Sequence, residues 1–196
     1  MSKHPPREEL VKKVLELADN EDLWNLSKEE RDVKMYDSKE KNKYKMFRGQ
    51  GWQRIHQVVS IVTDLEKRKK WNPIFLGIEK IEDFSETEAI ALCRFKGNPA
   101  TDRDFLVYET IQRTETEYIE AQTSVINEAV GERKGFVRGT VIISGMHMKE
   151  VSPNHTSVIY VGQLDLGGWV PAFVANMVNE KQPLCIANIR DLANKE

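Results

Sequence analysis

An acidic residue, Glu109, lies at a strand position where the pattern favours an apolar side chain. The members of that strand that share one face, which we expect to be the inner face, are Phe105, Val107, Glu109 and Ile111. A carboxylate buried among apolar neighbours needs a partner or stays protonated. Arg94, on the preceding predicted strand, is the nearest basic candidate in sequence. The pattern predicts an Arg94–Glu109 pair that orients a polar group, a purely structural ion pair, or a glutamate at an exposed strand edge.

No motif typical of catalysis or metal binding is present in the sequence. The four histidines form no HExxH motif, and the two cysteines form no CxxC pair. The chain also contains no GxSxG elbow, no P-loop and no Rossmann glycine motif. Glu109 with Tyr160 or His147 is the only acid/base set that can be assembled. We therefore expect no catalytic residue, no metal site and no cofactor.

The elements that must position these side chains can be read from hydrophobic periodicity. Helices are predicted at 8–18, over a helical region at 51–71, and from Trp169 to Ala193. Strands are predicted at 33–36, 43–48, 77–82, 89–95, 103–113, 118–126, 135–151 and 156–166. This order is typical of an α+β fold in which the last helix covers one face of an antiparallel sheet. A curved sheet closed by a helix encloses space, which is filled either by side chains or by a ligand.

The last helix is unusually apolar for a surface helix. It follows the segment DLGGWVP at 165–171, in which the two glycines permit a change of direction and the proline suits a first helical turn. Lys181 and Asn188 fall within its apolar stripe, which is either plain core or the lining of a ligand cavity. Pro183 predicts a kink near residues 179–182, which is either a gate or a bend around the core.

Length and charge favour one domain that does not bind nucleic acid. The 196 residues contain no linker-like segment, so we expect a single domain at 1–196 with a helical extension at 1–20. A formal net charge of −2 lacks the basic field of a nucleic-acid binder. The basic run at 67–70 is interpreted as a solvated helix end rather than a membrane-contact patch.

The sequence also favours a soluble, cytoplasmic protein. No apolar run approaches the roughly 20 residues that span a bilayer, and the N-terminus lacks the apolar core of a secretion signal. Cys93 and Cys185 are expected to be free thiols in a reducing compartment.

Four segments, taken in order, resemble the steroidogenic acute regulatory protein-related lipid transfer (START) domain family from about residue 20 onward. They are RKKWNP at 68–73, RDFLVY at 103–108, FVRGTVIISGMHM at 136–148 and DLGGWVP at 165–171. The resemblance implies a helix-grip fold, in which a curved antiparallel β-sheet wraps around a long C-terminal helix with an internal lipid tunnel. It also implies that the chain binds one lipid, of the sterol, phospholipid or ceramide class, without covalent chemistry.

The resemblance further assigns roles by position. Arg103 and Asp104 stand where the family's Arg-Asp pair opens a strand, and the loop at 96–102 stands where a loop guards the tunnel mouth. Trp169 stands where the lid begins. Several members place at position 109 an arginine paired with an acid on the preceding strand, so Glu109 with Arg94 reverses the sign of that pair. The expected ligand-binding residues are Arg94, Val107, Glu109, Ile111, Met146, Tyr160, Trp169, Phe173, Met177 and Lys181.

The sequence thus predicts a protein that binds a single lipid in an internal hydrophobic cavity and transfers it between membranes. Its expected partners are the lipid ligand and, transiently, a membrane, while no particular protein partner is indicated. An enzyme on the same scaffold, such as a cyclase or hydrolase, and a ligand-sensing regulatory module are the alternatives.

Overall fold

The computed structural model describes residues 3–53, 55–97, 101–152 and 155–195. The helices within these ranges are α1 (Arg7–Asp19), α2 (Ile55–Thr63), α3 (Leu65–Trp71), α4 (Ala172–Asn179) and α5 (Cys185–Ala193). The strands are β1 (Trp24–Glu30), β2 (Val33–Ser38), β3 (Phe47–Gln53), β4 (Phe75–Ser85), β5 (Glu88–Phe95), β6 (Asp102–Arg113), β7 (Glu117–Ser124), β8 (Phe136–Arg138), β9 (Thr140–Ser152) and β10 (His155–Asp165).

The strands form one sheet in the order β1-β2-β3-β10-β9-β7-β6-β5-β4. Neighbours along this order pair antiparallel, whereas the short β8 pairs parallel to the start of β6. The predicted α+β class is confirmed. Sequence analysis missed β1, because an edge strand with the mostly exposed sequence WNLSKEE lacks a clear apolar alternation. The long strand predicted at 135–151 is divided at Gly139 into β8 and β9.

Both faces of the sheet are covered, each by its own helices. On one face α1 packs Leu10, Val14 and Leu17 against the sheet core. This approach is close at Gly145 of β9, where an added Cβ would lie 2.6 Å from Val14 Cγ1. On the other face α2 and α5 join a second core, and an added Cβ at Gly51 of β3 would lie 2.7 Å from Ile186 Cγ2. Successive side chains of β6 are therefore buried on opposite sides.

The C-terminal segment is two helices rather than one. A 3-10 turn at Gln182–Leu184 separates α4 from α5 and contains Pro183, so the predicted kink is confirmed. The second helix is well buried, whereas Phe173 and Met177 of α4 are 67% and 63% exposed. The break lets α5 pack on the core while α4 lies over its margin.

None of the helices in the described ranges combines the length and apolar character needed to cross a bilayer.

Candidate functional site

A cavity of about 100 Å³ lies between the sheet and the helices α2, α3 and α5. Most of its lining is apolar and comes from the central strands and the helices: Val62, Trp71, Cys93, Phe95, Phe105, Val107, Val141, Gly145, Met146, Tyr160, Leu164 and Cys185. The remaining lining is polar: Arg68, Asn72, Glu120, Gln122, Ser144 and Gln182. An apolar space with a few polar groups is typical of a small-molecule site.

A second space, the outer groove, has a volume of about 400 Å³. It is lined by residues of α3 and the start of β4 on one side and of α4 and α5 on the other: Trp71, Asn72, Ile74, Val174, Met177, Val178, Lys181, Gln182, Leu184, Cys185 and Asn188. Four residues line both spaces: Trp71, Asn72, Gln182 and Cys185. We call these four the dividing wall, because they separate the cavity from the groove. In place of the single predicted tunnel, the structure has two spaces, one on either side of this wall.

The α3 side of the dividing wall is held by two hydrogen bonds. Trp71 donates from Nε1 to the carbonyl oxygen of Ile61 at 3.2 Å, and Asn188 donates from Nδ2 to the carbonyl oxygen of Trp71 at 3.0 Å. Asn188, one of the two polar residues in the apolar stripe, thus ties α5 to the end of α3.

Two carboxylates meet at a shared amide beside the cavity. Gln122 donates from Nε2 to Glu120 Oε1 at 2.7 Å and to Glu109 Oε2. Strand pairing explains the arrangement, because Glu109 of β6 stands opposite Gln122 of β7 while Ile111 stands opposite Glu120. The hydroxyl of Tyr118 donates to Glu120 Oε2 at 3.5 Å. The acids are thus held close together by the sheet itself.

Burial, together with the nearby charge of Glu109, raises the pKa of Glu120 to about 7 against the opposing effects of Arg68 and Tyr118. Burial likewise raises the pKa of the Tyr118 hydroxyl, with Glu120 and Glu109 adding to the effect. The two-acid cluster therefore takes up a proton near neutral pH.

A half-buried arginine, Arg68, faces these acids from α3. The Arg68 guanidinium carbon lies 4.7 Å from the centroid of the Phe75 ring and 5.9 Å from that of Trp71. Within the described ranges, its buried Nε has no hydrogen-bond partner. Burial lowers the pKa of Arg68, but the acids, with Glu120 foremost, outweigh this effect and leave the pKa above its ordinary value. Arg68 therefore stays charged.

The predicted Arg94–Glu109 pair is wrong. Arg94 stands opposite Asp104 in the β5–β6 ladder, whereas Glu109 stands opposite Ala89. Five residues along a strand separate the two positions by about 16 Å. The solvated reading of the run at 67–70 is also wrong for Arg68, because Arg68 shares the inward face of α3 with Trp71 three residues later. Lys69 is exposed and pairs with Glu66 at 2.7 Å.

The other predicted ligand-binding residues fall into three groups. Val107, Met146 and Tyr160 line the cavity, and Met177 and Lys181 line the outer groove. Ile111 is half-buried against the core formed with α2 and α5, outside the cavity lining.

Trp169 and Phe173 form the third group, because both are exposed and neither lines the cavity. Phe173 belongs to α4, whose buried positions are Ala175 and Asn179, and Trp169 precedes that helix.

The Arg-Asp pair at the start of β6 anchors the surrounding strands. Arg103 donates from Nε to the carbonyl oxygen of Leu166 at 3.1 Å. Asp104 is buried and accepts two hydrogen bonds from Arg138 of β8, at 2.6 and 3.2 Å. The preceding loop, predicted to guard the tunnel mouth, includes residues 98–100, which lie outside the described residues.

The START domain family model matches residues 7–190, and the chain belongs to this family. Among solved structures, the human StAR-related lipid transfer protein 5 superposes with a TM-score of 0.83 at 20% sequence identity, covering 96% of this chain and 94% of that one. This likeness confirms the predicted helix-grip fold.

Two curated relatives are longer than the segment that matches this chain. Steroidogenic acute regulatory protein, mitochondrial, of Danio rerio is 27% identical over 139 residues, which cover 67% of this chain and 48% of that protein. Acetyl-coenzyme A thioesterase of Mus musculus is 25% identical over 151 residues, which cover 69% of this chain and 26% of that protein. The chain thus spans about half the length of the first relative and about a quarter of the second.

Proposed function

We propose that this domain binds one lipid in the cavity and the outer groove together and transfers it between membranes. The observation that carries the proposal is the dividing wall, because a single layer of side chains separates an apolar cavity from a groove open to the surface. Two of its members, Gln182 and Cys185, lie at the break between α4 and α5, where a 3-10 turn interrupts the α-helix. The human structural neighbour is named a lipid transfer protein, which agrees with this proposal.

Volume supports a site that opens. Pockets for small molecules typically have about 300–1,000 Å³. The interior cavity alone has about 100 Å³, whereas the groove adds about 400 Å³. A lipid therefore fits only when the dividing wall is displaced and the two spaces join.

The helix α4 is suited to this displacement because a few polar contacts fasten it. Asn179 donates from Nδ2 to the carbonyl oxygen of Leu164 at 2.9 Å, and the Lys45 amide donates to Asn176 Oδ1 at the same distance. Glu180, directly after the helix, forms an ion pair with Lys28, with 3.0 Å between Glu180 Oε1 and Lys28 Nζ. Hydrogen bonds and exposed ion pairs contribute about 1 kcal/mol or less each, so the opened state is accessible at modest cost.

An exposed apolar surface beside the groove supports the proposed membrane contact. We define this surface, the α4 patch, as Ile74, Trp169, Phe173, Met177 and Val178, each of which is exposed. Ile74, Met177 and Val178 also line the groove. Burial of these side chains in the interfacial layer of a membrane would place the mouth of the groove against lipid tails.

Binding rather than turnover is favoured by where the chemically useful groups lie. His147 is on the opposite face of the sheet from the cavity, where it contacts Glu117 at 2.8 Å and Asp19 at 3.3 Å. It therefore cannot join Glu109 and Tyr160 in an acid/base set. Burial raises the pKa of both thiols, Cys93 and Cys185, to about 12, which leaves them un-ionised and poorly nucleophilic at neutral pH.

We also propose that residues 1–196 form a single domain and that the protein is cytoplasmic, since the sequence contains no linker-like segment and only two cysteines.

The test is transfer of a fluorescent lipid from donor to acceptor vesicles, together with mass spectrometry of lipid that co-purifies with the protein. We expect one lipid per chain and a transfer rate proportional to protein concentration. If no lipid co-purifies and none of sterol, diacylglycerol, ceramide and phosphatidylcholine moves between vesicles, the carrier proposal is overturned.

A further inference from the structure

The most unusual feature of the cavity is a half-buried arginine that faces two acids without forming an ion pair with them. In the part of the chain that the structure describes, Arg68 forms no ion pair with Glu109 or Glu120, although both acids influence its pKa. Its Nε is buried and unpaired, and its side chain lines the same cavity as Glu120 and Gln122. A buried donor without an acceptor is rare in proteins and points to a missing partner.

The missing partner must satisfy Arg68 on one side and the acids Glu109 and Glu120 on the other. Arg68 can only donate hydrogen bonds, and an ionised carboxylate can only accept them. A hydroxyl group does both, since its oxygen accepts from Arg68 while its hydrogen is donated to Glu120 or Glu109. From this geometry we infer that the inner end of the cavity binds the uncharged hydroxyl of a lipid and rejects anionic and quaternary ammonium head groups. The inference rests on the proposed lipid-binding function and specifies its ligand class.

An anionic head group is disfavoured by the charge count of the cluster. One arginine faces two carboxyl groups, so a phosphate would add negative charge beside two acids that already raise the local negative charge. The amide that would otherwise be available to an anion is engaged, because Gln122 Nε2 donates to both Glu109 and Glu120. A single guanidinium therefore offers too little positive charge for a third anion.

A quaternary ammonium group is disfavoured for a different reason. Such cations bind on the faces of aromatic rings. Beside the polar cluster, the Arg68 guanidinium already lies over two rings: Phe75 at 4.7 Å and Trp71, which lines the cavity, at 5.9 Å. A second cation at these two rings would lie beside the first one and be repelled by its charge.

The surrounding cavity fixes the direction in which the lipid lies. Beyond the polar cluster the lining is apolar, with Phe105, Val107 and Leu164 on the sheet side. The outer groove continues this surface through Val174 and Leu184. The hydroxyl therefore lies at the inner end, and the hydrocarbon extends across the dividing wall towards the groove.

The decisive experiment compares two lipids that differ only at the head. Phosphatidylcholine vesicles are loaded with trace radiolabelled diacylglycerol or with phosphatidic acid of identical acyl chains, and the lipid extracted by the full chain is counted. Cholesterol is included as a second hydroxyl-bearing probe, and labelled phosphatidylcholine as the quaternary ammonium probe. We expect at least one hydroxyl lipid to be extracted tenfold or more above phosphatidic acid and phosphatidylcholine.

Variants assign the preference to the cluster. Arg68→Met removes the donor while keeping a long side chain, and should abolish the preference; Lys69→Met, on the exposed side of the same helix, is the matched control and should retain it. Glu120→Gln keeps the shape and removes the charge, so it should raise extraction of phosphatidic acid at least threefold.

Each alternative result has a definite meaning. Equal or better extraction of phosphatidic acid or phosphatidylcholine would overturn the ligand class and leave the carrier function standing. A preference for hydroxyl lipids that survives both Arg68→Met and Glu120→Gln would show that this cluster does not read the head group. Failure to extract any of the four lipids would overturn the carrier function itself.

Discussion

Asn179 and Leu164 join α4 to the last strand of the sheet through one buried hydrogen bond of 2.9 Å between the Asn179 amide and the Leu164 carbonyl oxygen. Asn179 is 1% exposed, and Leu164 lines the cavity. The bond therefore connects α4, the helix proposed to move, to a residue of the cavity lining.

Replacing Asn179 with alanine should loosen this helix. Loss of one buried hydrogen bond costs about 1 kcal/mol or more, which shifts an opening equilibrium by roughly fivefold. We expect a lower melting temperature together with faster lipid exchange between vesicles, measured by fluorescence dequenching. Asn194→Ala, an exposed position just after α5, is the control and should change neither quantity. A destabilised Asn179→Ala protein that exchanges lipid at the normal rate would show that α4 is not the gate.

Removal of the aromatic residues of the α4 patch should weaken membrane association without unfolding the domain. Trp169 is fully exposed and Phe173 is 67% exposed, so Trp169→Ser and Phe173→Ser leave the core intact. Full burial of a large apolar side chain is worth about 1.5–3 kcal/mol, so the double variant should bind phosphatidylcholine vesicles at least tenfold more weakly in co-sedimentation.

The control for the patch is Ile126→Ser. Ile126 is 85% exposed and bridges to Lys3, far along the chain from the outer groove lining. It should bind vesicles like the unaltered protein. Equal loss of binding in the control and the double variant would mean that general surface hydrophobicity, rather than the α4 patch, governs membrane contact.

Stability should depend on pH through Glu120. Its folded pKa, raised to about 7, lies above the ordinary value of 4.5, so the folded state binds the proton more tightly than the unfolded state between these values. The contribution of Glu120 to the free energy of unfolding must therefore fall as pH rises from about 4.5 through 7. Glu120→Gln removes this dependence.

The measurement is a pair of thermal melts for each protein, at pH 5 and pH 8. The melting temperature of Glu120→Gln relative to the unaltered protein should be higher at pH 8 than at pH 5. An identical difference at both values would contradict the raised pKa of this carboxyl group.

Removal of Arg138, the ion-pair partner of Asp104 at the start of β6, should strongly destabilise the protein. Arg138→Met leaves the fully buried Asp104 carboxylate without its bidentate partner, which typically costs about 3–5 kcal/mol. Arg133→Met removes an exposed pair with Glu79 at 2.8 Å and should cost less than about 1 kcal/mol. Chemical denaturation measures both. Similar losses in the two variants would indicate that Asp104 is solvated on truncation.

Local patterns in the sequence were enough to predict most of the architecture. Alternation in β6 correctly separated the cavity side, with Val107, from the α1 side, with Leu106 and Tyr108. The position of Pro183 correctly predicted the break in the terminal helix. These features depend on residues close together in sequence, which is where periodicity is informative.

The polar cluster could not be predicted in the same way because three separate elements build it. Glu109 was singled out, but its neighbours depend on the register of β6 with β7 and on the packing of α3. A signal for Glu120 did exist, since Glu120 and Gln122 alternate with the buried Ile119 and Ala121. Arg68 gave no such signal within a run of four basic residues.

The close approach of α1 at Gly145 distinguishes the two faces of the sheet, because the face covered by α1 is tightly packed at this point while the opposite face borders the cavity. Val14 lies so near β9 that no side chain fits between them, and this contact backs the strand whose other face contributes Met146 to the cavity. Under the proposed function, we expect an entering lipid to displace the helices opposite, while the strands keep their register. The sheet would then keep a fixed shape, and the volume available to a bound lipid would depend on how far α4 moves away from it.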